Sequence, residues 1–350
     1  MPRPSAKRNA IAIVGAATLL GKELKMVLED RNFPGLDIDL FDEDSEAIGV
    51  LAEAAGEATF VRGLDEEDFH GMGIVFLASS GARAATSAES AVASGAAVID
   101  LNPRGPLLAD SLIRIPNIEK SFPERAFTPS VATANGGAHL SPMVRGVPSA
   151  PVTIAITLST ALAKLAPSRI AITFFPPVSE RGQPGIDELE TQTTRLLALQ
   201  PIVQPLFDAQ VAFNLNSRFG AESKHNLGKT RDEAAFEISR YLGGQAITPA
   251  VQFIQAPVFY GYAFSAFADF GLATDGAAIA AALREAGIKI ENAAAAAPTN
   301  ISVADDSAIH MAAPASDTIS PTAMWLWGAV DHFRMAAVSA VRVAESILAQ

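Results

Sequence analysis

The chain is predicted to be an α/β protein, with a parallel sheet domain first and an α+β domain second. Three observations carry this. Over residues 9 to 115 short apolar runs alternate with helical periods, a glycine-bearing turn directly follows the first run, and beyond residue 150 the apolar runs become longer and β-rich. Strands alternating with helices imply a parallel sheet covered on both faces.

Taken in order, AIAIVG (10–15), LDIDLF (36–41), ATFVRG (58–63), IVFLAS (74–79) and AAVIDL (96–101) read as strands. KELKMVLED (22–30) and ARAATSAESAVASG (82–95) read as the helices between them. Residues 117–150 are rich in Pro, Gly, Ser and Asn, and TPSVATANGGAHLSP reads as a long loop or an inserted hairpin near the domain boundary. The domains are accordingly expected at 1–150 and 151–324. In the second, SRIAITFF, AQVAFNL and AVQFIQAPVFYGYAFSAFADF are expected to be β-rich, beside helices at 186–198, 230–242 and 276–287. AAAAAP (293–298) reads as a surface connection, and residues 325–350 as one long apolar helix closing the chain.

Composition bounds the function. With 350 residues, 49% of them hydrophobic, the chain can fill two substantial cores. A net charge of -12 with scattered basic residues argues against a nucleic-acid-binding face. The apolar run after the basic start MPRPSAKRNA stops at Gly15, so neither a signal peptide nor a membrane span is expected, and the expected location is cytoplasmic. There is no cysteine, which excludes disulfides, thiolate metal sites and a cysteine nucleophile. The five histidines show no i, i+4 pair of the kind that binds a metal, and no metal site is expected.

The turn VGAATLLG has the strand-turn-helix context of a Rossmann-like dinucleotide fingerprint, with Gly15 and Gly21 in place. The middle glycine is replaced by Thr18, so a side chain sits where pyrophosphate would approach bare backbone at the helix start. Gly15, Ala17, Thr18, Leu19, Leu20 and Gly21 are the candidate cofactor contacts, for NADP or NAD. The alternative is a structural turn in which the two glycines only let strand and helix pack. Asp42, Glu43 and Asp44 after the second strand suit ribose hydroxyls and repel a 2'-phosphate.

In VSERGQPGIDELE (178–190), Ser179, Glu180, Arg181 and Gly182 precede a helix, where they either face a cleft or form a helix start with a solvated ion pair. Tyr260 and Tyr262 alternate with apolar neighbours, as packing residues with a wet tip do; a catalytic tyrosine is the other reading.

In order along the chain, VGAATLLG, AAVIDLNPR, VSERGQPGIDEL, FDAQVAFNL, EISRYLG, QAPVFYGYA and VDHFRMAAVSAVRVAE together resemble the aspartate-semialdehyde dehydrogenases, and most closely a branch lacking the catalytic cysteine. The resemblance implies that the closing helix returns to the Rossmann-like domain and that the second domain forms a homodimer through its sheet. Active members reduce an acyl phosphate through a cysteine thioester, using NADPH, a histidine, a substrate-binding arginine and phosphate-binding cations. By the resemblance the cysteine's place falls on Thr153, with Asn135 or Gly136 as other registers; the histidine becomes Tyr262 and the arginine Gln255. The Glu and Lys pair becomes Thr230 and Glu233, and Glu180 and Arg181 occupy the middle of the loop beside the nicotinamide, between Ser179 and Gly182. Of the anion-binding set Arg104 is retained, with Arg181 as a second anion contact.

Two functions follow as expectations. One is a non-catalytic homodimer that binds an unidentified small molecule or protein. The other is an NAD(P)-dependent oxidoreductase acting on aspartate semialdehyde or another carbonyl substrate, with Tyr262 as proton donor.

Overall fold

The structure, a computed structural model, describes residues 10–31, 33, 37–54, 56–64, 69–79, 82–101, 103, 111–122, 143–292 and 294–349. Arg104, Asn135 and Gly136, and the loop-or-hairpin segment around them, lie outside these residues. The chain divides into two units, one of Met1–Glu119, Ala126–Ser149 and Ala336–Gln350, the other of Lys120–Arg125 and Ala150–Met335.

The first unit is built on a seven-stranded sheet. Its strands are β1 (Ala10–Val14), β2 (Asp37–Asp42), β5 (Arg62–Gly63), β6 (Ile74–Leu77), β7 (Ala97–Asp100), β8 (Leu112–Ile113) and β9 (Val144–Gly146), in the order β5-β2-β1-β6-β7-β9-β8. All the pairings are parallel. A separate antiparallel hairpin, β3 (Leu51–Ala54) and β4 (Glu57–Phe60), stands beside it. Every residue of β1, β6 and β7 is buried, as expected of central strands covered on both faces.

The alternation of side chains along each strand sorts the core into two layers. Ile11, Ile13, Ile74, Phe76 and Ile99 pack with Leu24, Val27 and Leu28 of α1 (Leu19–Asp30), and with Ala337, Val341 and Ala344 of the C-terminal helix. Ala12, Val14, Val75, Leu77 and Val98 face the other way, against Ala84, Ala88 and Ala91 of α2 (Ala82–Ala93). Each fully buried Val, Leu or Ile in these layers stabilises by about 1.5–3 kcal/mol. The short helix α3 (Pro116–Ser121) follows β8, and Glu119 in it takes both guanidinium bonds of Arg114.

The second unit carries a mixed sheet in the order β11-β10-β12-β16-β14-β13, with β15 on β16. The strands are β10 (Arg169–Phe175), β11 (Ala250–Phe253), β12 (Tyr262–Asp269), β13 (Lys289–Ile290), β14 (His310–Met311), β15 (Ala315–Ser316) and β16 (Ala323–Val330). Helix α4 (Ala150–Leu162) is buried at every position, so its apolar and β-branched residues need no polar face. It packs on α6 (Leu227–Leu242), α7 (Gly276–Glu285) and β10; α5 (Gln183–Leu197) lies between β10 and α6 in the chain.

Two sequence expectations are corrected. AQVAFNL forms no strand, because its backbone is satisfied by side chains of α5. Gln192 Oε1 accepts from the Val211 and Ala212 N–H groups at 2.8 and 3.2 Å, and Gln192 Nε2 donates to Ala209 C=O at 3.1 Å. Beside it Glu188 accepts from the Leu206 N–H at 2.6 Å, and burial pushes its carboxyl above the usual carboxylate range. Nor is 325–350 one helix: Trp325–Val330 are the end of β16, with Trp325 and Trp327 exposed on either side of buried Leu326, and the helix α8 runs His332–Leu348. Its N-cap, Asp331, accepts from the Phe333 and Arg334 N–H groups through Oδ1 at 3.2 and 3.1 Å. Among the described residues no helix is long and apolar enough to cross a membrane.

Candidate functional site

The turn after β1 is held by its own groups. Gly15 has φ +84°, and a Cβ on it would come within 2.6 Å of the Ser79 nitrogen. A Cβ on Gly21 would collide with Gly15 C=O, so both glycines are required for packing alone. Thr18 caps α1: its Oγ1 accepts from the Gly21 N–H at 2.9 Å and donates to Gly15 C=O at 2.7 Å. The Gly15 and Ala16 N–H groups donate to Phe41 C=O, and the Ala17 N–H donates to Asp42 Oδ2 at 2.7 Å. Asp42 is buried, and its Oδ1 accepts from Glu43 and Asp44 at 2.9 and 3.0 Å. The amides of Gly15, Ala16, Ala17, Thr18 and Gly21 in the turn that would face a dinucleotide pyrophosphate are thus engaged, one by a carboxylate. Leu19 and Leu20 form the first residues of α1.

In the second unit the register of the sheet gathers three predicted residues, Ser179, Gln255 and Tyr262, at one end. Phe175 at the end of β10 pairs with Ala263, Tyr262 pairs with Val330 at the end of β16, and Phe253 of β11 pairs with Phe174. The turn bearing Ser179, Gln255 just beyond β11, Tyr262 and the start of α8 therefore meet. The turn Val178–Arg181 is a single 3-10 turn, pinned by Val178 N–H to Val258 C=O at 2.9 Å and by Ser179 N–H to Phe259 C=O at 3.2 Å. Gly182 is the N-cap of α5 and has no side chain to cap with.

His332, which the sequence reading passed over, completes the cluster. Its Nε2 lies 3.4 Å from Ser179 Oγ, and its ring meets the edge of Tyr262 with centroids 5.5 Å apart. Burial holds the imidazole down at about 4, against the opposing pull of the Asp331 and Glu180 carboxylates, so it is neutral at pH 7. Its Nδ1 has no hydrogen-bond partner among the described residues. Asp331 does not orient the ring as in a nucleophile-histidine-carboxylate triad: Nδ1 is unpartnered, while Asp331 Oδ1 caps α8 and Oδ2 accepts from the Asp305 N–H. The signal for His332 was the polar pair Asp331-His332 directly after a period-two apolar run; assigning that run to a helix hid it.

Each substituted position has a settled surrounding. Tyr262 is 1% exposed, so the wet-tip reading fails for it and holds for Tyr260, which is 49% exposed. Gln255, also buried, donates through Nε2 to Pro176 C=O and Ala256 C=O at 2.8 and 3.0 Å. Thr153 is in the first turn of the buried helix α4, where Ala150, Pro151 and Val152 precede it. Thr230 and Glu233 lie on α6: the Thr230 hydroxyl donates to Asn226 C=O, and Glu233 pairs with Lys229 at 3.7 Å beside a shallow cavity of about 530 Å³. The solvated ion pair of Glu180 with Arg181, one of the two readings of this turn, is not formed through Arg181 Nε or Nη2. Arg181 Nε and Nη2 are shielded from solvent and have no hydrogen-bond partner among the described residues. No group of three or more His, Asp or Glu among the described residues could hold a metal.

A parallel sheet entered by a glycine turn and a mixed sheet covered by helices define a dehydrogenase-type scaffold in two units. The family model for the semialdehyde dehydrogenase NAD binding domain matches residues 10–121, and that for the semialdehyde dehydrogenase dimerisation domain matches residues 158–334. The chain belongs to the semialdehyde dehydrogenase family. It is 30% identical to a USG-1 protein homolog of Pseudomonas aeruginosa over 264 residues, 73% of this chain and 72% of that protein. It is 25% identical to the aspartate-semialdehyde dehydrogenase of Rickettsia bellii over 352 residues, 98% of each. The solved structure of a probable aspartate-semialdehyde dehydrogenase from Pseudomonas aeruginosa superposes with a TM-score of 0.81 at 27% identity, covering 97% of this chain and 98% of that one. The fold is shared with the NADP-bound enzyme of Candida albicans, at a TM-score of 0.66 and 14% identity, over 97% of this chain and 99% of that one.

Proposed function

We propose that this family member has lost the phosphorylating dehydrogenase reaction and acts as a homodimeric binding or regulatory protein. The observation that carries the reading is the absence of any thiol: no cysteine occurs in the chain, whichever register is chosen. A threonine hydroxyl at Thr153 is no substitute, since its pKa is far above a thiol's and it needs a base to ionise. Loss of a nucleophile alone costs about a millionfold in well-measured enzymes. The buried amide of Gln255 is engaged with backbone carbonyls, and Glu233 offers an anion where phosphate needs a cation.

Dinucleotide binding is weakened with it. Asp42 places a carboxylate in the glycine turn, which disfavours pyrophosphate and, with Glu43 nearby, disfavours the 2'-phosphate of NADP more than NAD. Burial of Tyr262 speaks against its use as a proton donor in an oxidoreductase acting on another carbonyl. Support for the dimer comes from the matched dimerisation domain and from an aromatic face of the mixed sheet. There Trp325 is 47% and Trp327 37% exposed, flanked by Phe267 and Phe175.

Thermal unfolding with millimolar NADH or NADPH tests the cofactor part, because a ligand of the native state must raise the melting temperature. No rise, and no change in Trp325 or Trp327 fluorescence, is expected. A concentration-dependent rise would return the chain to the cofactor-using class.

A further inference from the structure

We propose that Arg181 is the seat of a small carboxylate-bearing ligand, which gives the binding reading above its ligand class and rests on it. Nε and Nη2 form one edge of the guanidinium, the edge that matches the two oxygens of a carboxylate in a bidentate pair. In Arg181 both atoms of that edge are shut off from solvent and neither has a partner among the described residues. Arg31 sits on Glu345, Arg62 lies beside Asp39, Arg114 sits on Glu119 and Arg231 on Asp232; Arg145 leaves its Nε without a partner among the described residues, whereas Arg181 leaves a whole edge. Two guanidinium N–H groups shut off from water and left without acceptors are costly, and a ligand that supplies two coplanar oxygens lowers that cost.

The surroundings choose among anions. His332, 3.4 Å from Ser179 in the same turn, is neutral and adds no positive charge, and Glu180 next to Arg181 in the chain adds a negative one. One guanidinium next to one carboxylate suits a planar monoanionic group better than a phosphate dianion. The turn backbone is fixed by its bonds to Val258 and Phe259, so the fork is held ready while the torsions of the Arg181 side chain admit the ligand.

Arginine-selective 15N labelling of the full-length protein reads the fork directly, with the Arg181 Nε signal assigned by its disappearance in Arg181→Gln. The probes are acetate and, as a tetrahedral control, inorganic phosphate. Acetate is expected to move the Arg181 signal saturably, and phosphate far less. Arg181→Lys keeps the charge without the fork; it is expected to melt as the wild type does without ligand and to lack the rise in melting temperature that acetate is expected to give the wild type. An Arg181 signal that stays in place throughout the acetate titration, or that moves equally with phosphate, overturns the proposal. Turnover with NADP is a separate reading, so failure here and failure of the proposed function are told apart.

Discussion

The Ala17 N–H at the turn after β1 donates to the Asp42 carboxylate at the end of β2, at 2.7 Å. That bond joins two places that dinucleotide-binding domains reserve for different parts of the cofactor, the pyrophosphate and the ribose. Replacing Asp42 by Ala removes the acceptor of three backbone N–H groups and is expected to cost about 1–3 kcal/mol in urea unfolding. Asp42→Asn keeps one acceptor oxygen and lifts the charge. It is expected to lose less stability and to be the variant in which NADH first raises the melting temperature.

Thr18 stands where the dinucleotide pattern has a glycine, and its hydroxyl both caps α1 and closes the turn. Thr18→Ala is expected to destabilise by about 1 kcal/mol, read from the denaturation midpoint, and Thr18→Ser to restore most of it. Thr18→Gly, which rebuilds the glycine pattern, is expected to bring no gain in NADPH binding, because Asp42 still holds the Ala17 amide.

His332 ties stability to pH. Its folded value of about 4 lies below its unfolded value near 6.5, so in that interval the unfolded chain binds the extra proton. Stability from this group is fully present above pH 6.5 and falls as the pH drops toward 4, by roughly 3 kcal/mol in all. Urea unfolding at pH 7.5 and pH 5 is expected to show a steeper loss for the wild type than for His332→Gln.

Gln255 occupies the place of the family's substrate arginine but works as a brace, with its amide on Pro176 and Ala256 and its backbone paired with Asn216. Gln255→Ala is expected to lower stability by about 1–3 kcal/mol, measured by chemical denaturation, and to leave the acetate response of Arg181 unchanged.

Much of the first unit was legible because its signals are local. AIAIV and IVFL are apolar without interruption and AVID is apolar up to its closing Asp100, and such runs between helical periods leave few alternatives to buried parallel strands. The second unit was harder where tertiary partners override local pattern. AQVAFNL has strand composition, but Gln192 on α5 takes its amides, and no local signal marks a glutamine as the partner of a segment some twenty residues on. WLWGAV was absorbed into the helix that follows, since apolar residues at 325–330 satisfy both periods until Asp331 is recognised as a cap. Of the candidate site, Ser179, Arg181, Gln255 and Tyr262 were named from sequence. Their surroundings were not, since whether an arginine fork is paired or a tyrosine is buried depends on neighbours distant in the chain.

The central claim is tested most directly by following NADPH formation at 340 nm with purified protein, aspartate semialdehyde, NADP and phosphate, the protein having been made in a host without its own enzyme. The account predicts a rate equal to that of the mixture without protein. Saturable NADPH formation that requires phosphate and persists through purification would contradict it.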